Sequence, residues 1–374
     1  MTEKPSSIIM VWSASARNET PICFSKNSPP FNYNHTVAST YYSAVFTGLG
    51  LSSNLFAFVV LVKAFHRSQS PSHTSFLIFL SSLVVTDFMG LLVTGSIVLS
   101  FRTTHFDWHD LDPQCHFCNF MGVSMVFYGL CPLLLGAAMA MERFAGIHRP
   151  FALSANMSKS RALSTVLAVW VFAGCVGLLP LTGLGSYHLQ QPGSWCFFNI
   201  SSQPLDMTFC LVFCLVGLLS LAASFLLNTV SVVTLLRICC GQGDMQRQRN
   251  LELEMMGQLV LIMIIASICW CPLLVSIAQT VLSGKHLQIV DLLLWIRFAT
   301  CNQILDPWVY ILFRCSIFKC IFPVGKERPR GSMRSLYPTS MASRRRRAQD
   351  STAVEAVRGE GAPCLADQPT PQTC

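Results

Sequence analysis

The chain has 374 residues, 52% of them hydrophobic and only 12% charged, with a formal net charge of +8 and a mean hydropathy of +0.49. Soluble domains run near one quarter charged, so this composition excludes an ordinary soluble domain and indicates a membrane protein. The start, MTEKPSSIIMVWSASARNE, has no sustained apolar core and is not expected to be a cleavable signal peptide.

Seven apolar stretches are long enough to span a bilayer as helices: Tyr41–Val62, Thr74–Phe101, Cys118–Met141, Leu163–Leu181, Met207–Leu236, Leu251–Leu282 and Ile289–Phe313. The expected fold is an all-α seven-transmembrane helix bundle. Residues 1–38 form an outer tail, 39–322 the bundle with a short membrane-surface helix, and 323–374 a disordered inner tail. With the N-terminus outside, Lys63, Arg67, Arg143, Arg149, Lys159, Arg161, Arg237, Arg247 and Arg249 fall in or beside the cytoplasmic loops, while the outer loops hold only Arg102 and Lys285. That asymmetry follows the positive-inside rule. The Arg344–Arg347 run of the tail reads as a contact with anionic lipid rather than with nucleic acid.

Polar residues inside the spans are expensive in lipid and must face protein or water. They are Asn54 in the first span, Asp87 in the second, and Asn302 with Asp306 in the seventh. Asn302 and Asp306 are four apart and share a helix face. Asp87 and Asp306 repel if both ionise, so one is protonated or a cation sits between them; the alternative is that these residues only hold the bundle together. Pro132, Pro180, Pro272 and Pro307 fall within spans and predict kinks. Trp270 lies beside Pro272, so its ring is either a moving part or a packing residue.

Only Cys23, Cys115, Cys118 and Cys196 of the 17 cysteines face the oxidising side, which leaves three pairings. A Cys118–Cys196 bridge would pin the second outer loop across the mouth of the bundle and leave Cys23 for Cys115. The lone Cys115-x-x-Cys118 spacing has no second ligand pair, so no metal is expected. Asn18-Glu-Thr, Asn34-His-Thr and Asn199-Ile-Ser are glycosylation acceptors on the outer side, and Asn156-Met-Ser lies inside.

Arg297 sits within the last apolar run, nine residues before Asp306. At about 1.5 Å per residue the separation is roughly 14 Å, which puts this guanidinium in the outer half of the membrane. An intramembrane Arg is a functional-site hypothesis by default, and its forked donors match a carboxylate. After the seventh span Ile317, Phe318, Ile321 and Phe322 form an apolar stripe beside Lys319, which predicts a helix lying on the membrane. Cys315 and Cys320 there are candidate palmitoylation sites.

Seven spans, Glu142-Arg143-Phe144 closing the third, Cys269-Trp270-Cys271-Pro272 in the sixth and Asp306-Pro307-Trp308-Val309-Tyr310 in the seventh resemble the rhodopsin-like G-protein-coupled receptors. Gly129-Leu-Cys-Pro-Leu-Leu-Leu-Gly136, Pro192-Gly-Ser-Trp-Cys-Phe197 and Asn302-Gln-Ile-Leu-Asp-Pro-Trp-Val-Tyr-Ile311 resemble the prostanoid receptors within that family. Leu91-Leu-Val-Thr-Gly95, Phe120-Met-Gly122, Gly136-Ala-Ala-Met-Ala140 and Phe225-Leu-Leu-Asn-Thr-Val-Ser-Val232 resemble its thromboxane-receptor subfamily. The match runs from about Ser43 to Phe318.

The resemblance implies that Arg297 binds a prostanoid carboxylate, that Ser194 and Trp195 cap the pocket, and that Thr94 lies near the ligand head. Met125 stands where amine receptors carry an Asp, which disfavours an amine. Arg102 departs from relatives, which have His or Tyr there; it either offers a second cation or snorkels into the headgroups, and snorkelling is favoured. Cys301 replaces a Trp of several relatives. On the inner side Arg143, restrained by Glu142 and by Glu252 or Glu254, is expected to meet a G protein, and Asp87, Asn302, Asp306, Pro307 and Tyr310 belong to the switch. The implied partners are a Gq-class G protein, arrestin, receptor kinases and membrane lipids, at the plasma membrane. The competing ligand readings are a prostaglandin F or E type, and the competing class is an organic-anion transporter. No internal duplication of the transporter kind and no catalytic constellation appears, so neither an enzyme nor a cofactor is expected.

Overall fold

A computed structural model describes residues 22–24, 40–68, 71–148, 158–191, 193–241, 246–284 and 289–314. Asn18, Asn34, Asn156, Cys315, Cys320, the apolar stripe 317–322 and the tail 323–374 lie outside the described residues, as does the side chain of Glu252. Seven long helices occur among the described residues: α1 Thr40–Arg67, α2 Pro71–Thr104, α3 His116–His148, α4 Lys159–Leu178, α5 Pro204–Gly241, α6 Gln246–Ser283 and α7 Ile289–Arg314. Each apolar run becomes a helix because in lipid every backbone N–H and C=O must be satisfied within the segment. Most helices outlast their apolar run: α3 continues to His148 and α5 to Gly241. Helical hydrogen bonding does not stop where the hydrocarbon does.

Six of the seven are apolar enough to cross a membrane by length and composition. The exception, α7, is 26 residues long and carries Arg297, Asn302, Gln303 and Asp306. Its polarity is concentrated on the residues that the bundle shields: Asn302, Gln303 and Asp306 are buried. The protein is a multi-pass membrane protein.

The central helix is α3, which packs against α2, α4, α5 and α6, while α1 closes the bundle between α2 and α7. Pro132, Pro272 and Pro307 lie inside α3, α6 and α7. Pro180 behaves otherwise: α4 ends at Leu178, and Pro180 begins a 3-10 turn, Leu179–Thr182, closed by Gly183 at φ 99°. It terminates a helix where the sequence predicted a kink within one, because a Pro has no N–H to carry the i→i−4 ladder onward.

Between α4 and α5 lie two short strands not foreseen from the sequence, β1 Tyr187–Gln190 and β2 Trp195–Phe198, paired antiparallel with Tyr187 opposite Phe198 and Gln190 opposite Trp195. The Cys118–Cys196 bridge fastens β2 to the start of α3, and the Cys23–Cys115 bridge fastens the 3-10 turn Ile22–Phe24 beside it. Tyr187 packs on α3 at Gly122, where a Cβ would come within 2.2 Å of its ring. Its hydroxyl donates to the Gly177 carbonyl at 2.6 Å, and burial pushes its phenol above the ordinary range. Trp108, in a one-turn helix Trp108–Leu111, donates its indole N–H to the Gly193 carbonyl at 2.7 Å. The hairpin is thus held over one end of the bundle by one disulfide and two hydrogen bonds.

Candidate ligand-binding site and switch

Under the hairpin lies a cavity of about 120 Å³, walled by α1, α2, α3 and α7 and roofed by Ser194 and Trp195. Thr94, Arg102, Met125, Ser194, Trp195 and Arg297 all line it. A second, deeper cavity shares Thr94, Met125, Ile296 and Thr300 with the first and reaches Trp270. The two spaces adjoin across these four residues, with Arg102 and Arg297 lining the first and Trp270 the second. Six of the seven ligand-site residues named from the sequence line the first cavity, and the seventh, Trp270, lines the second.

Arg297 is partly buried, and its Cζ lies over the Tyr42 ring, 4.5 Å from the centroid. No carboxylate among the described residues lies within ion-pair distance of it. Arg102 is only 8% exposed and lines the same wall. The favoured expectation, a side chain reaching into the headgroups, is overturned: the outer end of α2 is covered by the hairpin, so the guanidinium lies under protein. Thr94 donates its hydroxyl to the Gly90 carbonyl at 2.6 Å, so its proton is engaged and its oxygen lone pairs are what it offers the cleft. Met125 makes the α3 wall apolar, with no counter-charge for an amine.

At the floor, Trp270 closely approaches Gly129, where a Cβ would stand 2.8 Å from the indole Cη2. Beneath it a smaller space is lined by Ser224, Asn228, Asn302 and Asp306. Asn302 donates to Asp306 Oδ2 at 2.9 Å, and Asn54 donates to the Gln303 carbonyl at 2.9 Å, tying α1 to α7. Asp87 and Asp306 are both fully buried and act on one another electrostatically. Both Asp87 oxygens, Asp306 Oδ1 and the Tyr310 hydroxyl make no hydrogen bond among the described residues. Among the described residues this layer is therefore polar and only partly hydrogen-bonded.

At the end opposite the hairpin, Arg143 is buried and forked onto Glu142, with Nε donating to Oε2 at 2.6 Å and Nη2 to Oε1 at 2.5 Å. Its Nη1 lies 3.7 Å from Met255 Sδ on α6, and its Cζ 5.7 Å from the Phe76 ring centroid on α2. The arginine is thereby held inside a closed helix end by its own neighbour.

Asn199 is where the structure departs most from the sequence reading. It is 7% exposed, and its Nδ2, the atom a glycan would use, donates to Asp206 Oδ2 at 2.5 Å. A sequon records sequence alone and carries no information about burial.

Sequence reasoning missed Tyr42, Phe46 and Thr47 of α1 and Thr300 of α7, which line the larger cavity. Thr300 lies three residues from Arg297 and shares its helix face, a signal that was available. The α1 residues carried none, because an apolar helix in lipid does not announce which face meets its neighbours.

A cleft with a cationic head and an apolar body, roofed by a bridged hairpin over seven helices, defines a receptor of the membrane-embedded ligand-binding kind. The chain belongs to the 7 transmembrane receptor (rhodopsin family), whose family model matches residues 53–310; its members are receptors rather than enzymes. It is 50% identical over 319 residues to the thromboxane A2 receptor of Bos taurus, spanning 82% of this chain and 93% of that protein. The Homo sapiens thromboxane A2 receptor is 50% identical over 321 residues, with the same coverage. The Homo sapiens prostaglandin F2-alpha receptor is 37% identical over 293 residues, 77% of this chain and 82% of that one. Squid rhodopsin shares the fold at a TM-score of 0.59 and 19% identity, covering 79% of this chain and 87% of its own.

Proposed function

We propose that the chain is a plasma-membrane receptor for a thromboxane-class prostanoid, with its N-terminus and hairpin outside the cell. Arg297 binds the ligand's carboxylate, with Arg102 as a second cation in the same head site. The observation that carries this reading is Arg297 itself: a guanidinium that has no carboxylate partner among the described residues, in an otherwise largely apolar cleft. A long fatty acid with one charge and few hydroxyls complements such a cleft, its chain running towards Trp270. The names of the relatives at 50% identity support the thromboxane assignment over the F type, which stands at 37%.

Agonist binding shifts the population towards an open inner end, since a ligand moves an equilibrium only by its differential affinity for the two states. Arg143 then leaves Glu142 and meets a heterotrimeric G protein of the Gq class, with phospholipase C activation and calcium release downstream. Asn18 and Asn34 carry N-glycans on the outer tail 1–38, and Cys315 and Cys320 carry palmitate in the membrane-surface segment that precedes the inner tail 323–374. Receptor kinases and arrestin act on that tail.

The test is calcium release in transfected cells given a stable thromboxane mimic and each major prostaglandin, in wild type and Arg297→Ala. The expected result is a thromboxane-mimic response that disappears in the variant while surface expression persists. A wild type that reaches the surface and answers prostaglandin F2α or E2 better than the mimic would overturn the ligand assignment.

A further inference from the structure

Among the described residues no acidic side chain holds Arg297 ready for an anion, and the ring of Tyr42 lies against it. The guanidinium carbon lies over that ring, 4.5 Å from its centroid. Tyr42 in turn stacks on Phe46 at 5.2 Å with an interplanar angle of 22°. Tyr42 and Phe46 are four apart on α1 and so share a face, and both line the cavity with Arg297. The three groups form a stack, Phe46–Tyr42–Arg297, along the wall between α1 and α7.

We propose that Tyr42 is a positioning residue for the anion anchor: it holds the Arg297 guanidinium by its face and leaves the N–H edge free for the ligand's carboxylate. The proposal rests on the reading of Arg297 as that anchor. An aromatic face attracts a guanidinium through its quadrupole. The five N–H donors of Arg lie in the guanidinium plane, so a ring against the face and a carboxylate at the edge use different parts of the same group. Ring and ligand are therefore complementary rather than competing. An unanchored Arg samples many rotamers, and binding must then select one; a guanidinium already stacked loses less on capture. Phe46 stacks on the Tyr42 ring and restricts it, which extends the ordering one residue further. Tyr42 is 40% exposed, so truncating it opens no deep void in the bundle. Its effect reaches the ligand through charge, and it discriminates an acid from the corresponding ester.

Full-length wild type, Tyr42→Phe, Tyr42→Leu and Arg297→Ala receptors in membranes are compared by competition binding of a stable thromboxane-mimic acid and its methyl ester, with calcium-release EC50 ratios as a second readout. Tyr42→Phe keeps the wild-type acid-to-ester preference, because it keeps the ring. Tyr42→Leu weakens acid binding roughly threefold to tenfold more than it weakens ester binding. An unchanged preference in Tyr42→Leu, or equal losses for acid and ester, overturns the positioning role. If wild type shows no acid preference and Arg297→Ala loses none, the anchor reading fails and this proposal with it. If wild type and Arg297→Ala behave as expected but Tyr42→Leu matches wild type, only the role of Tyr42 fails.

Discussion

Asn199 donates its side-chain amide to Asp206 across 2.5 Å, and that carboxylate gathers the end of the hairpin onto the start of α5. Asp206 also accepts from Ser201 Oγ at 2.5 Å and, on its other oxygen, from Ser186 Oγ at 3.0 Å. It sits in the first turn of α5, where the helix dipole favours a negative charge. The residue that reads as a glycan acceptor is therefore one of three donors to a buried carboxylate.

A receptor carrying Asn18→Gln and Asn34→Gln is expected to hold no N-linked glycan, because Asn199 is committed to Asp206. Gel mobility with and without glycosidase treatment checks this. A residual glycosidase-sensitive shift would show that Asn199 is modified. Asp206→Ala leaves three donors without their acceptor, and charge-assisted bonds of this kind contribute about 1.5–3 kcal/mol each. A clear fall in the Tm of the solubilised receptor is expected.

Arg102 is buried and lines the head of the cleft, so Arg102→Leu should weaken binding of the carboxylate ligand. Loss of one charge-assisted contact of about 1.4 kcal/mol corresponds to roughly tenfold in Kd. Saturation binding measures it. A side chain that merely reached into headgroups would leave Kd unchanged.

Glu142 holds Arg143 with both oxygens, and an amide at that position keeps the shape but only one acceptor. Glu142→Gln should raise ligand-independent guanine-nucleotide exchange, with each ~1.4 kcal/mol lost from the closed state shifting the open-to-closed ratio about tenfold. Arg143→Ala should keep ligand binding and lose agonist-driven exchange. Nucleotide-exchange assays in membranes read both.

Gly129→Ala places a Cβ 2.8 Å from Trp270 Cη2, so the indole must shift. Overpacking of this kind costs about 1–3 kcal/mol. The expected outcome is a lower Tm for the ligand-free receptor together with a changed ratio of agonist to antagonist affinity. A change in Tm alone would mark Trp270 as a packing residue.

The sequence by itself determined the number and nearly the extent of the helices, because the hydrocarbon allows no other backbone arrangement for long apolar runs. It also determined that Arg297 is exceptional and that Asn302 and Asp306 share a face, since charge cost and helical period are local properties. Tertiary structure decided everything that depends on facing. It chose one of three cysteine pairings and brought Tyr42 to the α7 arginine. It also folded Arg102 under the hairpin and buried the amide of Asn199. In lipid an apolar residue gains nothing by turning inward, so hydrophobicity carries no record of which helix face meets a neighbour. Only the packing of seven helices around α3, with a hairpin bridged over one end, supplies that information.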